Sequence, residues 1–457
     1  MARASAPLFF SLLAGCATVG ERGALERMLQ PFDEGPVQVA ALVVDLDSGA
    51  TLVAREAKRL LRPASTMKVL TTAAVCRREA DGAVETVLVA DAMPEGAVTL
   101  IGGGDAFLSS DELRGLVREL VQQGLRRVRG AAVTVVDPLH AGDRFGEGWM
   151  WDDEPGAFMP PVSAAAVDGG CVTVEVRAAA DGGMAARLLP VAGPFALDAA
   201  ASDGPLRVTR GVYTDRERVT VRGHVDGQRA VRRRLSAPDP ARYTASVLAG
   251  LLAEEGLLAG EPVCTVVASA PVFAAGAPRA VLHRPIADVV ARTNKPSDNL
   301  GAELLLRRLG APLDAGATAR GITAVRDDLT ALGFDPAQLR IADGSGVSHY
   351  GLLSAEVLVA ELVDMHRRGG RAFAAFEASL PVAGRDGTLD DRMQGTAAAE
   401  RVHAKTGTIS GVSNLAGYVA TRSGRKLAFA ILVQNFVGSA APYRALQDAF
   451  CARLAAL

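Results

Sequence analysis

The sequence predicts an α+β fold in which one sheet is assembled from both ends of the chain, with a large, mostly β excursion inserted between them. Three observations predict it. Apolar, β-rich runs stand near the start ("VQVAALVVDLDSGATLVAREA", 37–57) and again near the end ("SNLAGYVAT" and "LAFAILVQNF"). Helical texture lies between, in "PIADVVARTNKPSDNLGAELLLRRLG" and "GLLSAEVLVAELVDMHRRG". From 88 to 275 the chain instead breaks into short β-like runs separated by Gly, Pro and Asp turns. At 457 residues the chain is long for one domain, and 49% hydrophobic with 22% charged residues is the composition of a globular protein with a substantial core.

Taken in order, the N-terminus "MARASAPLFFSLLAGCATVG" has a minimal positive start at Arg3, a short apolar stretch and then "LAGC" (13–16). A segment this short and apolar reads as a signal peptide. "LAGC" resembles a bacterial lipobox, which makes Cys16 the lipidated first residue of an exported, periplasmic protein anchored by lipid; a plain signal peptide is the alternative. Ala17 supplies no acidic retention signal after Cys16, which favours the outer membrane over the inner. Four cysteines remain (Cys76, Cys171, Cys264, Cys451), with spacings that define no disulfide framework and leave pairing or free thiols open.

Beyond the leader, "DLDSGA" turns the first two strands into a hairpin. Pro63 in "RPAS" opens a helix that runs on from Thr66 without a breaker. The expected organisation is a leader at 1–16, a body formed by 17–87 and 276–457, and an inserted, mostly β region at 88–275 built as one or two subdomains. Within the insertion, "IGGGD" (101–105) lacks the following Lys-Ser/Thr of a phosphate loop and reads as a tight turn. "VRRRL" (231–235) reads as a solvated edge. The closing segment is a strand, a hairpin through "RSGRK" and a final helix from Tyr443.

Composition excludes several function classes. A formal net charge of −2 gives no reason to expect nucleic acid or an acidic membrane surface as partner. The six histidines are scattered, without HExxH or CxxC, so neither a metal nor a cofactor is expected.

Lysine usage carries the chemistry. Of 49 basic residues only Lys58, Lys68, Lys295, Lys405 and Lys426 are lysine; the rest are arginine. Where arginine serves for ordinary positive charge, a surviving lysine points to the compact amine or its ability to lose a proton. Three of the five mark short motifs: "STMK" at 65–68, "SDN" at 297–299 with Lys295 two residues ahead, and "KTG" at 405–407. Each alone has an ordinary reading. Ser65 can cap a helix and Lys68 can snorkel, Ser297 and Asn299 can cap the next helix, and "KTG" can end a strand. Their joint occurrence in the order S-x-x-K, S-x-N, K-T-G is far more specific.

A serine hydroxyl needs a base within hydrogen-bond reach, and a lysine serves only when neutral, which requires a pKa lowered by about three units. Ser65 and Lys68, at i and i+3, share a helix face. Lys405 is the second cation expected to keep Lys68 neutral. Ser297 is placed to relay a proton to a leaving amine, and Asn299 to offer an amide to a substrate backbone. Lys405, Thr406 and Thr408 would hold a carboxylate, with Gly407 letting the substrate lie against the strand.

With "LRPASTMKVLTTAA", "GGGD", "GWMWDDEPGAFMPPVSAAAV", "NKPSDNLGAELLLRRLG", "IADGSGVSHYGLLS", "LPVAGRDGTLDDRM" and "HAKTGTISGVSNLAGYV" in this order, the sequence resembles the class C penicillin-binding proteins over nearly the whole mature chain. These are the D-alanyl-D-alanine carboxypeptidase/endopeptidases typified by penicillin-binding protein 4. The resemblance implies a penicillin-recognising transpeptidase (β-lactamase-like) fold, a five-stranded antiparallel sheet flanked by helices with an insertion between the first two motifs. It implies Ser65 as acylated nucleophile, Lys68 as its base, Ser297 and Asn299 as second motif, and Lys405, Thr406 and Gly407 as third. The oxyanion hole would be the N–H groups of Ser65 and Thr408, with Ser345 of "DGSG" supporting the cleft. Asp153 and Phe158 match insertion residues implicated in holding the far end of the peptide. Two positions depart from the family pattern: "AVDGG" (166–170) where Asn is common, and His349 where some members carry Arg.

The implied activity is a serine DD-peptidase acting on peptidoglycan stem peptides and acylated by penicillin. Two rivals are a β-lactamase of the same fold and a non-catalytic wall-binding lipoprotein. The large insertion and the three intact motifs argue against each in turn.

Overall fold

The computed structural model describes residues 19–32, 35–179, 183–190, 193–225, 227 and 229–457; Cys16 and the leader lie outside the described residues. The sheet expected from both termini is present. Its strands run in the order Val402–Ile409, Val412–Ala420, Lys426–Gln434, Gln38–Asp45, Thr51–Arg55, every neighbour antiparallel. The strand Gln38–Asp45 is apolar from Val39 to Val44 because both of its faces are covered. Ala40, Leu42 and Val44 pack with the helices Met67–Glu79 and Ala355–Arg368, whereas Val39, Ala41 and Val43 pack with Val19–Leu29 and Ala441–Ala455. Helices on both sides of one sheet give a three-layer body.

The excursion is wider than 88–275. Ala83–Ala90 and Arg279–Pro285 pair with each other in a second five-stranded sheet, in the order Val263–Val267, Arg127–Val136, Glu95–Ile101, Ala83–Ala90, Arg279–Pro285. The inserted unit therefore begins at 83 and ends at 285. Strand texture alone does not say which sheet a strand will join. The excursion also carries a helix that its β-like texture does not announce. Ser110–Gln123 starts at a reciprocal capping box between Ser109 and Glu112 and packs with Pro240–Glu254 against the second sheet. Two three-stranded sheets complete it: Val231–Ser236, Cys171–Ala178, Met184–Leu189, and Ala196–Pro205, Arg218–His224, Arg207–Arg210.

The insertion is fastened to the body close to the motifs. Ala106, Leu139, Val162, Ala164 and Ala166 form an apolar seam with Leu300, Leu304 and Ala317. Gly103 of "IGGGD" is a close-packing residue, since a Cβ there would stand 1.9 Å from Glu85 O. At the departure "AVDGG", Asp168 adopts φ 52° and its Oδ1 accepts from Ser110 N at 3.0 Å, a left-handed turn that Asp fills as readily as Asn. Cys76, Cys171, Cys264 and Cys451 are all free thiols. Among the described residues no helix is long and apolar enough to cross a membrane, and no group of three or more His, Cys, Asp or Glu is placed to hold a metal ion.

Candidate active site

Ser65 sits on a short 3-10 turn, Ala64–Thr66, which leads into Met67–Glu79. The turn is held from three directions. Asn414 Nδ2, on the neighbouring strand, donates to Arg62 O (2.9 Å) and Pro63 O (2.8 Å), and Thr66 Oγ1 donates to Pro63 O (2.6 Å). Ala64 takes φ 46°, a conformation that side-chain-bearing residues hold only when their surroundings over-determine it. Gly346 provides part of that surrounding, because a Cβ there would come within 1.9 Å of Ala64 O.

Lys68, fully buried, lies one turn on. Its Nζ is 2.9 Å from Ser65 Oγ, 2.6 Å from Asn299 Oδ1 and 2.8 Å from Ser345 O. Two of these three neighbours can only accept. A neutral amine has two N–H donors and one lone pair, so donating to Asn299 and Ser345 leaves the lone pair facing the Ser65 hydroxyl. Burial lowers the Lys68 pKa to about 8, against the carboxylates of Asp343, Asp298 and Glu303, which push it up. Of the two causes expected from sequence, burial and a second cation, burial is the one that lowers Lys68. The mutual repulsion falls on Lys405, which is also fully buried: burial first, and Lys68 second, hold it well below the ordinary lysine range. Its Nζ donates to Thr406 O at 3.0 Å, and among the described residues no carboxylate pairs with it.

Three residues expected to meet the substrate or support its cleft have inward contacts. Asn299, 9% exposed, uses both ends of its amide: Oδ1 on Lys68 and Nδ2 on Phe158 O at 2.7 Å. It holds the lysine and the insertion together, and of its two Nδ2 hydrogens the one not given to Phe158 is the donor left for a peptide. Ser345 is fully buried, with its carbonyl on Lys68 and its hydroxyl donating to Asp343 Oδ2 at 3.1 Å. Gly407 is required by the serine turn itself, since a Cβ there would lie 2.8 Å from Pro63 O, 2.9 Å from Thr66 N and 3.1 Å from Ser65 N.

Ser297 takes φ 64° and lines the cleft beside Ser65. Thr406 and Thr408 line it as well, Thr406 Oγ1 standing 2.7 Å from Thr388 Oγ1. Lys295 ties this loop to the second motif, donating to both oxygens of Asp386 (2.8 and 2.9 Å) and to Leu380 O (2.6 Å). Phe158 reaches the site through its carbonyl. Burial, then Asp152, raises the Asp153 pKa, and neither residue lines the cleft of about 580 Å³ beside Ser65.

Sequence reading passed over the buried polar frame beneath. Asp343 accepts from Trp149 Nε1 (2.9 Å), Gly346 N (2.8 Å) and Ser348 N (2.8 Å), and burial, then Glu303, pushes its pKa up to about 6. Glu303 accepts from Gly344 N and Ser345 N, both at 2.9 Å, and pairs with buried Arg307 at 2.8 Å. The one local signal was an acid opening the glycine-rich "DGSG". The arrangement as a whole is a hydroxyl on a rigid turn, a basic amine aimed at it and an open cleft. That is the equipment for acyl transfer through a covalent serine ester.

A D-alanyl-D-alanine carboxypeptidase of Actinomadura sp. (strain R39) is 36% identical over 93% of this chain and 82% of its own length. The D-alanyl-D-alanine carboxypeptidase DacB of Haemophilus influenzae is 26% identical over 73% and 71%. Among solved structures, penicillin binding protein 4 (dacB) from Haemophilus influenzae matches with a TM-score of 0.79 at 21% identity, covering 94% of this chain and 99% of that one, which establishes the fold. Residues 22–457 match the D-Ala-D-Ala carboxypeptidase 3 (S13) family across body and insertion alike, and the chain belongs to that family.

Proposed function

We propose that Ser65 is the nucleophile through which this protein, a serine-type D-Ala-D-Ala peptidase of peptidoglycan, forms its acyl-enzyme. The observation that carries the assignment is the Lys68 amine 2.9 Å from Ser65 Oγ with its other directions taken by acceptors. Lys68 accepts the hydroxyl proton as Oγ attacks the carbonyl of the penultimate D-alanine. The new C–O bond forms, and the carbonyl electrons move to an oxyanion held by the N–H groups of Ser65 and Thr408. As they return, the C–N bond breaks, and the proton passes from Lys68 to the leaving nitrogen, relayed by the Ser297 hydroxyl. Water then takes the leaving group's place and gives its proton to Lys68 as its oxygen bonds the ester carbon; the Oγ–C bond breaks, and Lys68 returns the proton to Ser65 Oγ. Thr406 and Thr408, beside Lys405, receive the carboxylate of the departing D-alanine. A β-lactam, whose amide occupies the position of the scissile bond, acylates the same oxygen.

Labelling with a fluorescent penicillin tests the assignment: wild type labels and Ser65→Ala does not. Equal labelling of the two would remove Ser65 from the mechanism. Export and lipid anchoring at Cys16 belong to the same proposal and rest on "LAGC". Cys16→Ser should move the protein from the membrane fraction to the soluble one, and an unchanged distribution would exclude the anchor.

A further inference from the structure

The cleft beside Ser65 continues past the threonines of the third motif to the helix Ala441–Ala455. There Ala441, Arg444, Ala445 and Asp448 line it. Their i, i+3, i+4, i+7 spacing puts all four on one helix face, and the two alanines leave that wall open. Asp448 is already engaged, its Oδ1 accepting from Arg392 Nη2 (2.6 Å) and Nε (2.9 Å). Arg392 Nη2 also donates to Arg444 O and Gln447 Oε1, both at 3.2 Å, which fixes the helix against the cleft floor. The Arg444 guanidinium itself has no side-chain partner among the described residues. Asp391, on the same lining, turns a negative charge toward the cleft.

This geometry suits more than a departing alanine. A cleft of about 580 Å³ falls in the range that encloses a drug-sized molecule, several times what one alanine fills. The alanine carboxylate is met beside Ser65 by Thr406 and Thr408, so Arg444 is a second anion receptor further along. Guanidinium is suited to bidentate pairing with a carboxylate. We propose that this end of the cleft is a leaving-group subsite, in which Arg444 binds a free carboxylate of the stem peptide released when a cross-link is cleaved. Asp391, also on the lining, repels an anion placed beside it, which favours the carboxylate at Arg444. The inference rests on Ser65 being the acylated serine.

The test is a cycle over enzyme and substrate. Cross-linked muropeptide dimers are prepared with the carboxylates of the leaving stem free or amidated. kcat/KM for cleavage is then measured with wild type, Arg444→Gln and Arg444→Lys. Amidation is expected to lower the wild-type value about tenfold, mainly through KM, while Arg444→Gln cleaves both dimers at the amidated level and Arg444→Lys lies between. If amidation affects Arg444→Gln as much as wild type, or leaves wild type unaffected, or if no dimer is cleaved, the subsite is refuted. Penicillin labelling separates the two failures. A protein labelled at Ser65 but indifferent to amidation loses only the subsite, whereas loss of the Ser65 label in wild type removes the parent reading.

Discussion

If Lys68 is the base, acylation must follow its neutral fraction. With a pKa of about 8, roughly a hundredth of the enzyme carries the neutral amine at pH 6, about a tenth at pH 7 and about half at pH 8. The second-order rate of penicillin acylation should therefore climb about tenfold between pH 6 and 7, about fivefold to pH 8, and level off near pH 9. Stopped-flow quenching of intrinsic fluorescence, or timed fluorescent-penicillin labelling, reads that rate without interference from product release. The limb reports the Lys68–Lys405 pair, since each amine opposes protonation of the other.

The sign of one neighbour can be tested independently. Asp298 raises the Lys68 pKa through its charge, and its Oδ1 caps the next helix by accepting from Gly301 N at 2.7 Å. Asparagine caps as well as aspartate, so Asp298→Asn removes the charge and keeps the cap. The limb should then move to lower pH and the rate at pH 6–7 should rise. A limb that stays in place or moves to higher pH, or a wild-type profile that is flat from pH 6 to 9, would refute Lys68 as the titrating base.

Other substitutions probe geometry. Lys68→Arg keeps the charge but cannot deprotonate, and acylation should fall by at least about a thousandfold; near-normal labelling would show that no neutral amine is needed. Gly407→Ala places a methyl 2.8–3.1 Å from the backbone of Pro63, Ser65 and Thr66, so the serine turn must shift by tenths of an ångström. Acylation should slow by about ten- to a hundredfold while the unfolding midpoint changes by only a few degrees, and an unaltered rate constant would mean that the turn tolerates the move.

The features legible in the sequence were those set by short spacing. Ser65 and Lys68 touch because i and i+3 meet on a helix, and the central sheet follows from apolar runs at both ends of the chain. What escaped depends on distant segments meeting. The two acceptors that orient Lys68 lie 231 and 277 residues away, so spacing alone did not show that Asn299, read as meeting the substrate, and Ser345, read as supporting the cleft, both hold the lysine. Gly407 was also read as meeting the substrate, and only the approach of the serine turn shows why a side chain is excluded. Arg444 has no local pattern at all, and Thr388 stands in a recognisable segment, "LPVAGRDGTLDDRM", that assigns it no contact. The helix face and the loop that carry them acquire meaning only where they close the cleft.

The pair of buried amines is also where function opposes stability. Lys405 is buried beside another lysine with a single backbone acceptor, an arrangement a fold selected for stability alone would not keep. Lys405→Met fills the same space without the charge and should stabilise the protein by about 1 kcal/mol or more while abolishing acylation. The pH dependence carries the sign. Because the folded protein gives up this proton more easily than the unfolded chain, the native lysine opposes folding below its depressed pKa. That opposition fades as pH rises to the ordinary lysine value near 10.5. The gain in Lys405→Met should thus be largest in acid and shrink as pH rises, as measured by urea unfolding from pH 6 to 10. A variant less stable than wild type, or one whose advantage grows with pH, would show that Lys405 sits in the fold as a well-satisfied ammonium, against the depressed pKa that its burial beside Lys68 implies.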